Sequence, residues 1–494
     1  MSEKNPITVV IVGGGVAGLS AAKELADNRI DFVLLEAQDY LGGRVRTIEA
    51  APDLHIDLGA QYILGDTNNV VHTICKQLNC IADQDEKEDL YLSPDGSRLE
   101  DKFIEKIWQI REQILEDAQE KSKNSTSQTQ ISLLQHLKES YAQKLNNSVI
   151  DDENLRGALI VWLLKLEEVD IGCQNLNDVR LAQCDTTEQL EKSSLWKLKY
   201  GFRTFIDYLR SAIPKNQMRL SSEVTKVAFD DSDHILTVEL VNQLDGNISN
   251  LTCNHVIWTT SVGYLKENFQ KIFSSEPDLI HQKQSSIENL GFGTANKVIL
   301  VYDAPISFWP DNTADLHPLI SVNQTKYSLN KGERAFLTEQ NVDPSQAQFV
   351  LDGVLCVSPS VSMRFVIVWI VGEAALAAES FNELVLAYLC HNIFLSRYLN
   401  GAVDNQKPSR AIMSYWNKNR FERGSYSYLS VRASLDDRDR LRQSYTPDGI
   451  PRVVFAGEAT HSHYSSSVHG AYESGINAVQ ILRQYLETAS DCRK

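Results

Sequence analysis

Ile7-Thr-Val-Val-Ile-Val12-Gly13-Gly-Gly15-Val-Ala17-Gly18-Leu-Ser-Ala-Ala-Lys-Glu-Leu25 is the stretch whose reading decides the fold. Ile7 to Val12 is β-branched throughout, which suits a strand buried on both faces. Gly13, Gly15 and Gly18 form G-x-G-x-x-G at a strand-to-helix turn. Gly13 permits the tight turn, Gly15 lets a pyrophosphate approach the backbone, and Gly18 lets the helix pack close to the strand. The helix N-terminus offers free N–H groups and a positive dipole end to phosphate. A second strand, Phe32-Val-Leu-Leu, runs into Glu36 and Ala37, about where an acid should meet a ribose hydroxyl. Strand, glycine turn, helix, strand and acid together predict a dinucleotide site, and the acid favours an unphosphorylated ribose, hence NAD or FAD.

Bulk properties narrow the rest. A chain of 494 residues predicts two domains or more. The net charge of −17 argues against nucleic-acid binding and is compatible with a cationic substrate. The eight cysteines are scattered, without C-x-x-C or metal-ligand spacing, and read as reduced thiols. No signal-peptide pattern opens the chain, no run is long and apolar enough to span a membrane, and no Ser-Lys-Leu address closes it. A cytoplasmic monomer is the expectation.

After Glu36, Gly42-Gly43-Arg44-Val-Arg46 pairs a flexible backbone with a guanidinium suited to phosphate. Coming after a dinucleotide fold, this pair resembles the second fingerprint of the flavin-containing amine oxidases, which implies FAD. Ile56 to Gly65, containing Gly59, Ala60 and Gln61, resembles that family's strand and loop beneath the flavin. Val453-Val-Phe-Ala-Gly457-Glu458-Ala-Thr-His461, with His469-Gly-Ala-Tyr-Glu-Ser-Gly475, resembles its last fingerprint, so His461, His463 and His469 are read as part of a flavin site and no metal is expected. The resemblance implies FAD contacts from Gly13, Gly15, Ala17, Gly18, Glu36, Ala37, Gly43, Arg44, Gly59, Ala60, Gln61, Val224, Trp416, Gly457, Glu458 and Val468. Ser425 stands where some relatives carry a flavin-linking cysteine, so the expected FAD is non-covalent.

Two motifs carry the chemistry. Asn289-Leu-Gly-Phe-Gly-Thr-Ala-Asn-Lys297 resembles a motif of polyamine oxidases, in which the lysine holds a water against the flavin N5. Arg423-Gly-Ser425-Tyr426-Ser-Tyr428 resembles the segment whose tyrosine forms one wall of an aromatic cage, a surface suited to a passing amine because π faces are negative. Lys297 and Tyr426 are therefore the catalytic candidates. Ser467 occupies the position where monoamine oxidases have a second cage tyrosine. Glu167, in the acidic end of an apolar helix from Leu155, is the candidate partner for a distal ammonium. Leu64 replaces the pocket histidine usual in animal polyamine oxidases. Ser261 and Val468 also depart from the family's usual proline and threonine.

The expected architecture is α/β: a Rossmann-like FAD-binding domain (residues 1–84, 196–285 and 426–494) with an inserted α+β substrate-binding domain (85–195 and 286–425). Within it, 66–83 should hold a helix, 98–147 should be mostly helical with a loop at 121–130, 325–348 should be a loop insertion, 349–358 and 363–371 should be strands, and 373–394 should be one helix. Strands should meet in a hairpin at Asp245-Gly246. The resemblance implies FAD-dependent oxidation of a polyamine (spermine, spermidine or N1-acetylated forms) at a C–N bond, giving an aldehyde, a shorter amine and H2O2. The alternatives are an oxidase of another amine and a non-catalytic flavoprotein.

Overall fold

Val9 to Val12 of the first strand pair with a neighbouring strand on both sides. In the computed structural model, which describes residues 7–82, 87–124, 132–146, 150–181, 195–320 and 328–491, Ile7–Val12 lies parallel to Phe32–Leu35, with Val12 opposite Leu35. On its other side it lies parallel to Ile248–Trp258, with Val12 opposite Trp258. Parallel strands need a crossover, and Val16–Asp27 supplies it as a helix. The sheet continues outward through the antiparallel strands Ile235–Asn242 and Ser222–Asp230. The turn at Asp245-Gly246 joins the hairpin as expected, with Gly246 at φ 73°.

The chain divides into two compact units. The first comprises Met1–Asp83, Thr186–Gly291 and Asn419–Lys494; the second comprises Gln84–Asp185 and Phe292–Lys418. Residues 286–291 and 419–425, which the sequence assigns to the second, belong with the first. Ser261 Oγ donates to the Glu422 carbonyl (2.7 Å), and Ser286 Oγ donates to Asp437 (2.8 Å).

The first unit is closed by the far end of the chain. Strand Val453–Phe455 pairs with Ile248–Trp258, and helix Val468–Asp491 packs on Val16–Asp27. Ser20 Oγ donates to the Tyr472 carbonyl across that contact (2.9 Å), and a Cβ on Gly475 would lie 2.1 Å from the Ala17 carbonyl oxygen.

In the second unit, six strands run in the order Arg410–Met413, Asn296–Val301, Phe365–Ile370, Val354–Pro359, Thr313–Pro318 and Glu88–Leu92. Helix Glu153–Ile171 is capped at both ends: Asp152 accepts from Asn154 and Leu155 N–H, and Gly172 takes the left-handed conformation that stops it.

Several expected elements differ. The helix within 66–83 spans only Val70–Gln77, N-capped by Asn69. Lys121–Asn124 continues helix Asp101–Asn124; the remainder of that expected loop, 125–130, lies outside the described residues. Of the loop expected at 325–348, residues 325–327 lie outside the described residues, and the rest contains two helices, Lys331–Glu339 and the start of Pro344–Asp352. Their signals are local: an Asn330/Glu333 capping box, and Asp343 before a proline at the first helical position. The strand expected from 349 starts only at Val354. The single helix expected at 373–394 breaks after Ala378, restarts at Glu383 under an Asn382 cap and passes into a π-type turn over Tyr388–Leu395. Among the described residues no helix is long and apolar enough to cross a membrane.

Candidate cofactor and catalytic site

The glycine turn has the geometry its spacing predicts. Gly13 sits at φ 106°, and a Cβ there would stand 2.6 Å from Thr259 Oγ1. A Cβ on Gly18 would stand 1.9 Å from the Gly13 carbonyl oxygen, so helix and turn touch there. At Gly15 a Cβ would meet nothing within 4 Å. That open cradle at a helix N-terminus fits a pyrophosphate, and it is the local test that the residues suit a dinucleotide. Ala17 is buried on the same helix.

Glu36 is buried beside this turn and held by backbone. Gly14 N–H donates to its Oε2 (2.6 Å) and Gln38 N–H to its Oε1 (2.8 Å). Burial raises its carboxyl above the usual range despite these bonds. A ribose hydroxyl would have to share a carboxylate already engaged. Ala37 follows, half-buried. The segment toward Val224 runs alongside, with Glu36 N–H donating to Arg219 O (2.9 Å) and Ser222 N–H to Glu36 O (2.8 Å). Val224 is buried at a bulge in its strand.

Arg44 is the hub of the unit. Its Nη1 donates to the Ser425 carbonyl (2.7 Å) and to Glu458 Oε1 (2.9 Å), and its Nε lies 3.7 Å from Glu422 Oε2. Glu458 Oε2 accepts from Ser427 Oγ (2.7 Å) and Ser466 N–H (3.0 Å). Buried Arg438 donates to Ser427 Oγ (2.9 Å) and the Ala459 carbonyl (3.1 Å). Burial alone would raise the Glu458 carboxyl, but Arg44 and Arg438 outweigh it and hold the group below the usual carboxylate range. Glu422 goes the other way: burial pushes it up to about 7, Arg44 only partly opposing. Arg44, Thr260, Ser261, Gly457 and Glu458 line one recess of this unit. Gly43 sits at φ 57°, and a Cβ there would stand 3.4 Å from Gly15 Cα and from Glu422 Oε1. Gly59 and Ala60 run beside Arg44, with Ala60 N–H donating to the Arg44 carbonyl (3.2 Å), and Gln61 keeps a buried Oε1 without a hydrogen-bond partner.

The remaining residues of the first unit take varied places. Tyr426 opens strand Tyr426–Leu429, half-buried. Ser467 N-caps the last helix, accepting from Gly470 N–H (2.9 Å) and donating to Tyr464 O (2.8 Å), with Val468 beginning that helix. Its hydroxyl thus has a structural task that a tyrosine could not perform. Ser261 caps helix Val262–Ile272, accepting from Tyr264 N–H (3.0 Å), which accounts for serine there. Leu64 is exposed (38%) on the short strand Tyr62–Leu64. His461 and His469 both approach Glu473, at 3.0 and 2.8 Å.

In the second unit, Lys297 is 2% exposed near the start of strand Asn296–Val301, its Nζ 4.7 Å from the Trp369 ring centroid. Its backbone is held by Ser414 Oγ, which accepts from Lys297 N–H (3.0 Å) and donates to Asn296 Oδ1 (2.8 Å). Trp416 N–H reaches the same Asn296 oxygen (3.3 Å), and Trp416 itself is buried. Glu167 differs from its expectation as an acid available to an ammonium. Arg111 Nε donates to it at 2.7 Å and also holds Asp170 at 2.7 Å. Burial lifts the Glu167 carboxyl to about 7 even so.

Sequence reading missed Glu422, Ser427 and Arg438. Arg438 sits in Asp-Asp-Arg-Asp-Arg, which reads as a solvated charge run, and no local signal marks it. Ser427 is legible only as the inward partner of Tyr426 by strand alternation.

The chain matches the family described as flavin containing amine oxidoreductase over residues 16–483. It is 24% identical to probable polyamine oxidase 5 of Arabidopsis thaliana, covering 97% of this chain and 98% of that protein. It is 26% identical to the peroxisomal N(1)-acetyl-spermine/spermidine oxidase of Bos taurus, over 94% and 93%. It is 25% identical to lysine-specific histone demethylase 2 of Homo sapiens, of which it spans 53%. A putrescine oxidase variant redesigned for cofactor binding has a similar solved structure, with a TM-score of 0.68, 16% identity, and 97% and 99% of the two chains covered. The glycine cradle, the Arg44–Glu458 pair and the match across nearly the whole sequence converge: the chain belongs to the flavin-containing amine oxidoreductases and is an FAD-dependent amine oxidase.

Proposed function

We propose that the amine is a polyamine, spermine, spermidine or an N1-acetylated form, and that the FAD is held without a covalent link. The observation that carries this reading is the burial of Lys297, within a motif that resembles those of polyamine oxidases. A strand-opening lysine is ordinarily solvated, and burying an ammonium costs free energy that a purely structural role seldom justifies. Bound FAD supplies the acceptor for a hydride equivalent from the substrate C–N unit and returns the electrons to O2 as H2O2. Within this chain, Arg44 and the N-terminus of Val16–Asp27 would hold the phosphates. Tyr426 would present a π face to the amine. Lys297 would position and move a proton at the reacting centre. The product imine would hydrolyse to an aldehyde and a shorter amine. Ser425, in place of a cysteine, supports non-covalent binding. The Arg111 pair leaves Glu167 little net charge for a distal ammonium, so charge selection falls to other carboxylates.

The test is anaerobic flavin bleaching and H2O2 release with spermine, spermidine, their N1-acetyl forms, a monoamine and a methyl-lysine peptide. Bleaching by polyamines, faster than by the others, is expected. Bleaching only by the monoamine or the peptide transfers the chain to another amine; none with any amine makes it a flavin-binding protein without this activity.

A further inference from the structure

Away from the flavin fingerprints, the sheet of the second unit gathers a different set of groups. Strand Glu88–Leu92 lies parallel to Thr313–Pro318, with Tyr91 opposite His317. Asp315 and His317 are two residues apart and share one face of their strand, and Asp89 and Tyr91 do the same on theirs. One ligand atom each from Asp89, Asp315 and His317 lies within 4.8 Å of the other two. Strand Val354–Pro359 runs antiparallel on the other side, with Leu316 opposite Val357, so Cys356 and Ser358 flank the same face.

A pair of acids is common without an ion, and the imidazole is the independent observation. His317 is 8% exposed, and neither of its ring nitrogens has a hydrogen-bond partner. Its Nε2 comes to 3.5 Å from Asp89 Oδ2, an ion-pair distance without hydrogen-bond geometry. The ring is fixed by stacking on Tyr91 (centroids 4.7 Å, 11°) and by the edge contact with Trp162 (5.7 Å). A buried imidazole keeps an N–H and a lone pair that both need partners, and one ring nitrogen of this fixed imidazole lies within 4.8 Å of an oxygen of each of the two carboxylates. Asp89 is 42% exposed at its side chain, which leaves an entry path.

We propose that Asp89, Asp315 and His317 form a binding site for a divalent transition-metal ion of the Zn²⁺ class, with water completing the coordination. Oxygen, oxygen and imidazole nitrogen suit Zn²⁺, Mn²⁺ or Fe²⁺ better than Ca²⁺ or Mg²⁺, which prefer all-oxygen ligands. Donor separations must contract by roughly 1 Å around an ion with bonds of about 2.0–2.2 Å, a change within side-chain reach. The ion would join strands from the two chain pieces, 84–185 and 292–418, that make up this unit, so its role is structural. The site does not depend on which amine is oxidised.

The test uses the full flavin-loaded protein, treated with a chelator, dialysed and titrated with ZnCl2 by calorimetry, with the melting temperature followed in parallel. One saturable equivalent and a raised melting temperature are expected. His317→Ala and Asp315→Asn should each weaken binding about tenfold or more without changing the flavin spectrum. Should either variant fail to fold, Asp89→Asn alters the exposed carboxylate and serves the same comparison. Co²⁺ gives a second readout: visible d–d bands expected in the parent should be lost in Asp89→Asn. No saturable binding in the parent, or binding undiminished in every folded variant, overturns the proposal.

Discussion

At the scale of single residues, charge placement separates groups that look alike in the sequence. Glu458 and Glu422 both face Arg44, yet one carboxyl is held below the ordinary range and the other pushed up to about 7. Glu458 has two arginines and two further donors, whereas Glu422 is buried with Arg44 at 3.7 Å. The pH consequence for Glu422 follows from linkage. Unfolded, it ionises near 4.3. Folded, it keeps its proton to about 7. Between those values the folded state binds the extra proton, so its contribution to stability falls as pH rises. Glu422→Gln should raise the melting temperature by a few degrees at about pH 8 and change it little at about pH 5. An equal change at both pH values would show that Glu422 does not titrate in this window. For Lys297→Met, flavin reduction by the preferred amine should slow by about 10²-fold or more while FAD stays bound. Stopped-flow reduction is the measurement, and an unchanged rate removes Lys297 from the chemistry.

At the scale of the element, the glycine turn combines two separate requirements. Gly18 is needed by the fold, because its would-be Cβ strikes the Gly13 carbonyl oxygen. Gly15 is needed by the ligand, because its would-be Cβ enters open space. Gly18→Ala should therefore cost about 1–3 kcal/mol of stability, read by thermal melting. Gly15→Ala should melt like the parent apoprotein but retain less FAD after gel filtration. Equal losses of stability in both would contradict this division. Elements also show where local reading stops. The helices Lys331–Glu339 and Pro344–Asp352 were signalled by Asn330, Glu333, Asp343 and Pro344, but their polar outer faces hid the apolar periodicity. The break after Ala378 is a competition in which Asn382 caps a new helix instead of continuing the old one.

At the scale of the whole molecule, the first unit is assembled from three chain pieces and closed by its last helix. At Gly475 that helix approaches the first closely, its would-be Cβ lying 2.1 Å from the Ala17 carbonyl oxygen and 2.2 Å from Ser20 Oγ. Gly475→Val should wedge the two apart, lower the melting temperature and reduce FAD content together, as measured by calorimetry and the flavin absorbance ratio. A stable variant with full flavin content would mean that the contact relaxes without consequence. The second unit holds Lys297 on its own sheet, supported by Asn296 and Ser414.

The sequence by itself determined what depends on neighbours along the chain. Six β-branched residues, three glycines at fixed spacing and an acid after the second strand specify a nucleotide-binding turn, because backbone sterics and strand or helix period act locally. The motifs that resemble the amine oxidases made the cofactor and reaction class legible in the same way. Only the tertiary structure decided how charges are matched. Arg44 meets Glu458 across 414 positions, Arg438 turns inward from an apparently solvated run, and Glu167 is met by Arg111 from another helix. Coulomb interaction and desolvation depend on distance in space and on burial, and neither is written in the order of residues.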